Sequence, residues 1–195
     1  LDGTPRNYDQ VPVIKEHSTI LRRESEALDI KDIKTPKIKR LISGMKETLK
    51  NTVDGVGLAA PQVGESLRIF IVSEEAEEID RIEKGKKDPP QNYEEIRKKK
   101  DWKNYVFINP VVKNTSKNQL ERAEGCLSVP GRYGIVKRSE KIMVEAYDEN
   151  GKKFTRGASG FVARVIQHEL DHLKGTLFID KAKKILEPNK ENEKR

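Results

Sequence analysis

Cysteine occurs once in these 195 residues, at Cys126, so no internal disulfide can staple the fold. That excludes a disulfide-dense secreted domain, leaves this thiol free, metal-bound or nucleophilic, and fits a reducing compartment best. Long apolar runs are missing too. Ile69-Phe70-Ile71-Val72 is among the longest, far short of the roughly 18 residues a membrane span requires, so a soluble protein without membrane contact is expected. An apolar signal core is also lacking and the chain opens on Leu1, which reads as a targeting segment already removed.

Aromatic residues make up 6% and hydrophobic residues 34% of the chain, with a mean hydropathy of -0.78. The apolar residues are clustered in a few segments, which excludes full disorder and leaves room for one core. The length favours a single catalytic domain, 1-195. Charge is abundant: 36% of residues are charged, with a net +7. Of the 39 basic residues 26 are lysine and 13 arginine, a balance that suits a solvated surface more than forked phosphate recognition. No RNA-binding motif accompanies it, so no dedicated nucleic-acid site is expected.

Residues 1-34 read as an irregular arm with mobile ends. Thr35 is a candidate cap and Pro36 suits a first helical position. Ile38, Leu41, Ile42, Met45 and Leu49 then recur at helical spacing, predicting an amphipathic helix. Gly55 and Gly57 break it before a small-residue segment and a strand near 67-73. Residues 74-104 hold 10 acidic and 9 basic residues around Pro89-Pro90, and read as a charged surface insertion, partly helical, without chemistry. Strands follow at 105-112, ending near Asn109-Pro110, and at 141-147 and 152-155 around a hairpin turn at 148-151. A second helix spans 159-174, capped by Ser159 and stopped by Gly175. The core is expected within 11-186, with a frayed tail at 187-195.

The second helix carries His168-Glu169-Leu170-Asp171-His172. Residues four apart share a helical face, so the two imidazoles can grip one ion while Glu169 leans over a water on it. A catalytic metal ordinarily takes a third protein ligand. The histidine of a metzincin pattern is replaced by Phe178, and the later glutamates, Glu187, Glu191 and Glu193, lie in the charged tail. Cys126, flanked by Gly125, is the preferred third ligand. Thiolate with two imidazoles suits Zn²⁺, Fe²⁺, Co²⁺ or Ni²⁺.

Gly55-Val56-Gly57-Leu58-Ala59-Ala60-Pro61-Gln62, Glu124-Gly125-Cys126-Leu127-Ser128 and Gln167-His168-Glu169-Leu170-Asp171-His172 resemble, in order, the three signature motifs of the peptide deformylase family. The resemblance covers roughly 11-186. It implies an α+β fold, with mixed or antiparallel sheets around the helix bearing the histidines, and hydrolysis of the N-formyl group from the initiator methionine of nascent polypeptides. It further implies Cys126, His168 and His172 as ligands, Fe²⁺ as the native ion, and Glu169 as general base. Gln62 and the Leu127 N–H are then donors to the developing oxyanion. Val56, Gly57, Glu124, Gly125, Phe161, Arg164 and Val165 would line the methionine pocket, and Asp171 would orient a histidine or pair with Arg138. The family arginine after the cysteine motif aligns ambiguously with Arg132 or Tyr133. N-formylmethionyl peptides and a transient ribosome contact are the implied partners. The lysine-rich insertion and the opening on Leu1 suggest a plastid (apicoplast) stroma of a malaria-like parasite, with bacterial cytoplasm or mitochondrion as alternatives.

Overall fold

The run Ile69-Phe70-Ile71-Val72 lies at the heart of the architecture, because β-branched and aromatic side chains suit a pleated, buried surface. In the computed structural model, which describes residues 11-52, 54-85 and 101-186, it forms β2 (Ile69–Ser73), buried throughout. β1 (Gly57–Ala59), β3 (Asn104–Thr115), β6 (Lys141–Tyr147) and β7 (Lys153–Ser159) complete a sheet of order β1-β2-β3-β6-β7, antiparallel at every pairing. A second antiparallel sheet is built from β4 (Gln119–Cys126), β5 (Val129–Ser139) and β8 (Lys184–Leu186). The fold is α+β, as expected.

Successive side chains of a strand point to opposite faces, so β2 serves two cores at once. Ile69 and Ile71 meet helix α1 (Pro36–Lys50) through Ile38, Leu41, Ile42, Met45 and Leu49. Burying side chains of this kind contributes roughly 1.5–3 kcal/mol each. Phe70 and Val72 instead meet helix α3 (Gly160–His172), which presents Val162, Ala163, Ile166 and Leu170. On the second sheet Val129 and Val136 pack with Leu21, Leu177 and Phe178, the last opening the one-turn helix α4 (Phe178–Lys181). Arg164 of α3 also donates to the Val136 carbonyl at 2.9 Å, so α3 is held against both sheets.

Several sequence expectations need correction. Residues 74-104 are not wholly a surface excursion: helix α2 (Glu75–Glu83) buries Ala76 and Ile79 and packs on α3. Three apolar residues, Ala76, Ile79 and Ile82, in a charged background give too short a stripe to announce that face. Asp80 of α2 accepts from Phe161 N–H at 2.8 Å, taking the capping role expected of Ser159, whose hydroxyl instead accepts from Lys84 Nζ. Thr35 does not cap α1 either; its hydroxyl donates to the Asp32 carbonyl. The strand expected to end at Asn109-Pro110 runs on to Thr115 through bulges. There Asn109 adopts φ 50° and its amide pairs with both Leu28 N–H and Leu28 C=O, while Pro110, lacking an N–H, tolerates the interrupted ladder. Residues 1-10 of the arm lie outside the described residues; from residue 11 onwards it is irregular but anchored, with Leu21 and Ile33 fully buried. Residues 86-100 of the insertion and the tail 187-195 lie outside the described residues. Among the described residues no helix is long and apolar enough to cross a membrane.

Candidate metal centre

Helical spacing brings the two histidines together on α3. His168 and His172 have ring centroids 5.0 Å apart, at 76° to one another. The third member arrives from the end of β4, where a tight turn pairs Cys126 with Val129 and aims the thiol at α3. Cys126 Sγ lies 3.3 Å from His172 Nε2, and one ligand atom from each of Cys126, His168 and His172 falls within 4.8 Å of the others. Bonds of about 2.3 Å to sulfur and about 2.1 Å to nitrogen, meeting at a tetrahedral angle, put those atoms about 3.5 Å apart. The spacing and the soft-plus-imidazole donor set therefore fit one divalent cation.

Behind the ligands is a buried ionic network. His168 Nδ1 faces Glu124 Oε2 at 3.1 Å, which leaves Nε2 for an ion and fixes the ring. Arg138 grips Glu124 bidentately at 2.9 and 2.8 Å, Arg164 adds a third contact at 2.7 Å, and Arg138 also pairs with Asp171. Burial pushes the Glu124 carboxyl up, but the Arg138 and His168 hydrogen bonds outweigh it and hold it well below the usual range. Burial likewise raises the Cys126 thiol, and the two imidazoles more than reverse this, holding it well below an ordinary thiol. The thiolate is the form that binds metals.

Glu169 is different. It is buried, and one carboxyl oxygen, Oε2, has no hydrogen-bond partner among the described residues. Burial pushes its carboxyl up to about 7, against the pull of both imidazoles, which is where a general base working near neutral pH is most effective. Gly57 makes room for it: a Cβ there would come 2.4 Å from Glu169 Oε1. Gln62 sits in a 3₁₀ turn after β1, its amide oxygen accepting from Ala59 N–H at 2.9 Å. Its Nε2 is thereby turned towards Ser128 Oγ and Cys126 Sγ, at 3.1 and 3.6 Å.

All of the expected site residues except His172 face one cavity of about 410 Å³. Val56, Gly57, Gln62, Glu124, Gly125, Cys126, Leu127, Phe161, Arg164, Val165, His168 and Glu169 all line it, together with Lys15, Arg132 and Tyr133. The charges of Glu124 and Arg164 are satisfied within the wall, so the deep surface offered to a ligand is largely Val56, Phe161 and Val165. The Arg132 and Tyr133 alternatives part here: Arg132 pairs with Glu16, and Tyr133 lies against Gly125, 3.0 Å from where a Cβ would be. Sequence reasoning missed Lys15 and Glu16, because nothing in an irregular arm signals what it will touch.

A thiolate and two imidazoles around a buried carboxylate, on a helix between antiparallel sheets, define a metal-dependent hydrolase of the His-Glu-x-x-His type. Comparison with known proteins narrows the class. The family model for polypeptide deformylase matches residues 11–187. Peptide deformylase 1 of Clostridium perfringens is 43% identical over 161 residues, covering 83% of this chain and 90% of that protein. The chloroplastic peptide deformylase 1A of Solanum lycopersicum is 34% identical over 179 residues, covering 92% of this chain, which spans 62% of that relative's length. Among solved structures, a Met-Ala-Ser-bound class I type b peptide deformylase from Acinetobacter baumannii superposes with a TM-score of 0.70 at 30% identity, covering 88% of this chain and 97% of that one. The chain belongs to the peptide deformylase family, and its activity is removal of the N-formyl group from nascent polypeptides.

Proposed function

We propose that Cys126, His168 and His172 hold one divalent cation, that Glu169 is the general base, and that Gln62 Nε2 and the Leu127 N–H receive the developing oxyanion. The observation carrying this reading is the convergence of three ligand atoms within 4.8 Å beside a buried carboxylate oxygen that has no partner. When bound, the cation supplies Lewis acidity and lowers the pKa of a coordinated water from about 15.7 towards about 7. Glu169 takes a proton from the attacking water and later delivers it to the departing amine, so formate and a free N-terminus leave. As charge builds on the formyl oxygen, the Gln62 amide and Leu127 N–H stabilise it more than they stabilise the ground state.

The substrate enters along two strands. β1 and β4 are the terminal strands of their sheets, and Gly57 of one and Glu124, Gly125 and Cys126 of the other line the cavity. An extended peptide can hydrogen-bond to such edges, while Val56, Phe161 and Val165 accept an unbranched methionine side chain. Fe²⁺ is the proposed native ion on the family resemblance; the donor set itself suits Zn²⁺, Co²⁺ or Ni²⁺ as well. Nascent substrates imply a transient ribosomal encounter, favoured by the net charge of +7. The chloroplastic relative supports a plastid as compartment, and the clostridial one a bacterial cytoplasm.

Glu169→Ala tests the mechanism. It should leave metal content intact and lower formate release from formyl-Met-Ala-Ser by at least about a hundredfold; turnover near the wild-type rate would overturn the role given to Glu169.

A further inference from the structure

The arm at residues 14-16 touches both walls of the cavity at points that carry no ligand. Ile14 N–H donates to the Gln62 carbonyl at 2.8 Å, and two residues on, Glu16 N–H donates to the Ser128 carbonyl at 2.9 Å. Lys15 Nζ donates to the Leu127 carbonyl at 3.0 Å, and the Glu16 carboxylate pairs with Arg132, just past the same turn. Three consecutive residues thus bridge the Gln62 turn and the Leu127-Ser128 turn, which are 64 and more residues apart in sequence and otherwise meet through the Gln62 amide.

We propose that residues 14-16 form a positioning clasp of this enzyme: Ile14 N–H holds the Gln62 turn while Lys15 and Glu16 hold the Leu127-Ser128 turn, so that the Gln62 amide and the Leu127 N–H keep the separation the reaction requires. The proposal rests on the donor roles given above to Gln62 and Leu127. Oxyanion donors work because they are aimed before charge appears, and a displacement of about an ångström can cost about a hundredfold in rate. Both donors sit on short irregular segments, a one-turn 3₁₀ helix and a two-residue turn, where internal hydrogen bonding alone gives little rigidity. The clasp also bears on the sulfur, since Ser128 N–H donates to Cys126 Sγ at 3.4 Å and belongs to the peptide unit whose carbonyl Lys15 holds. Neither Lys15 nor Glu16 needs to touch the reacting atoms for this role.

A double-mutant cycle on the metal-loaded enzyme tests it. Glu16→Ala should lower kcat for formyl-Met-Ala-Ser about tenfold, with KM within about twofold and metal content unchanged. In a Gln62→Ala background the same change should cost less than about twofold, because with one donor gone there is no separation left to keep. Lys15→Met, at an exposed side chain, reads the same coupling should Glu16→Ala fold poorly. Losses that multiply in the double variants, or wild-type kcat in both arm variants, would overturn the clasp. Gln62→Ala alone separates the two claims: wild-type kcat there removes the donor reading and the clasp with it, whereas lost rate there with silent arm variants removes the clasp only.

Discussion

Arg138→Met removes the one cation shared by two buried carboxylates, and its consequences can be worked from the contacts. The Arg138 and Glu124 side chains are each 4% exposed and that of Asp171 is 8% exposed, so no water replaces the guanidinium. Breaking a buried pair by deleting one partner costs about 3–5 kcal/mol, because the other charge is left uncompensated. Glu124 keeps Arg164 and His168, and Asp171 keeps Lys181, which puts the expected loss at the lower end, about 3 kcal/mol. For a chain of this size each kcal/mol shifts Tm by about 2–4 °C, so a fall of about 6–12 °C is expected at fixed metal concentration. The pH dependence has a definite sign. Glu124 has a folded pKa depressed below its unfolded one, so its stabilisation is complete above about pH 4.3 and is lost as pH falls through the folded value. The gap between wild type and variant should therefore narrow in acid. Because Glu124 also orients His168, metal affinity should weaken about 10–100-fold. Denaturant unfolding across pH, with chelator competition for the metal, measures all three; a stability loss under about 1 kcal/mol would refute the reasoning.

Two further outcomes follow from the same geometry. Gly57→Ala would drive a methyl against Glu169 Oε1; kcat should fall about a hundredfold, while overpacking lowers stability by only about 1–3 kcal/mol. A loss in Tm without a loss in kcat would contradict the steric argument. In chelator-treated protein the lone thiol should react with Ellman's reagent at a rate that rises less with pH than that of an ordinary thiol, since Cys126 is held well below an ordinary thiol. Adding Zn²⁺ should stop the reaction, and a rate that climbs with pH as an ordinary thiol's does and ignores Zn²⁺ would argue against Cys126 as a ligand.

The helices that matter were legible because their apolar residues recur at helical spacing: α1 through Ile38 to Leu49, and α3 through Val162 to Leu170. The residues expected to bind metal and substrate, His172 apart, line one cavity, and for His168 and Glu169 this was legible because motif spacing on a helix is a geometric fact. The β4–β5 hairpin was not foreseen. Its inward positions include Glu124 and Arg138, so a search for alternating apolar residues passes over a strand whose core-facing side chains are charged. The same blindness hid the buried face of α2, where Glu75 and Glu78 lie buried beside Ala76 and Ile79. Capping was misassigned for another reason: Thr35 and Ser159 stand at the right positions, but the carbonyl of Asp32 in the preceding turn and the distant Lys84 engage their hydroxyls.

The solitary thiol ties chemical ageing to catalytic death. Among thiols this chain has no decoy: an oxidant that converts a thiolate to sulfenic, sulfinic or sulfonic acid must do so at the seat proposed for the cation. Each oxygen gained at that atom is also a lost grip on the ion, so peptide-level mass spectrometry that counts oxygen at Cys126 apart from any at Met45 or Met143 becomes a census of extinguished active sites.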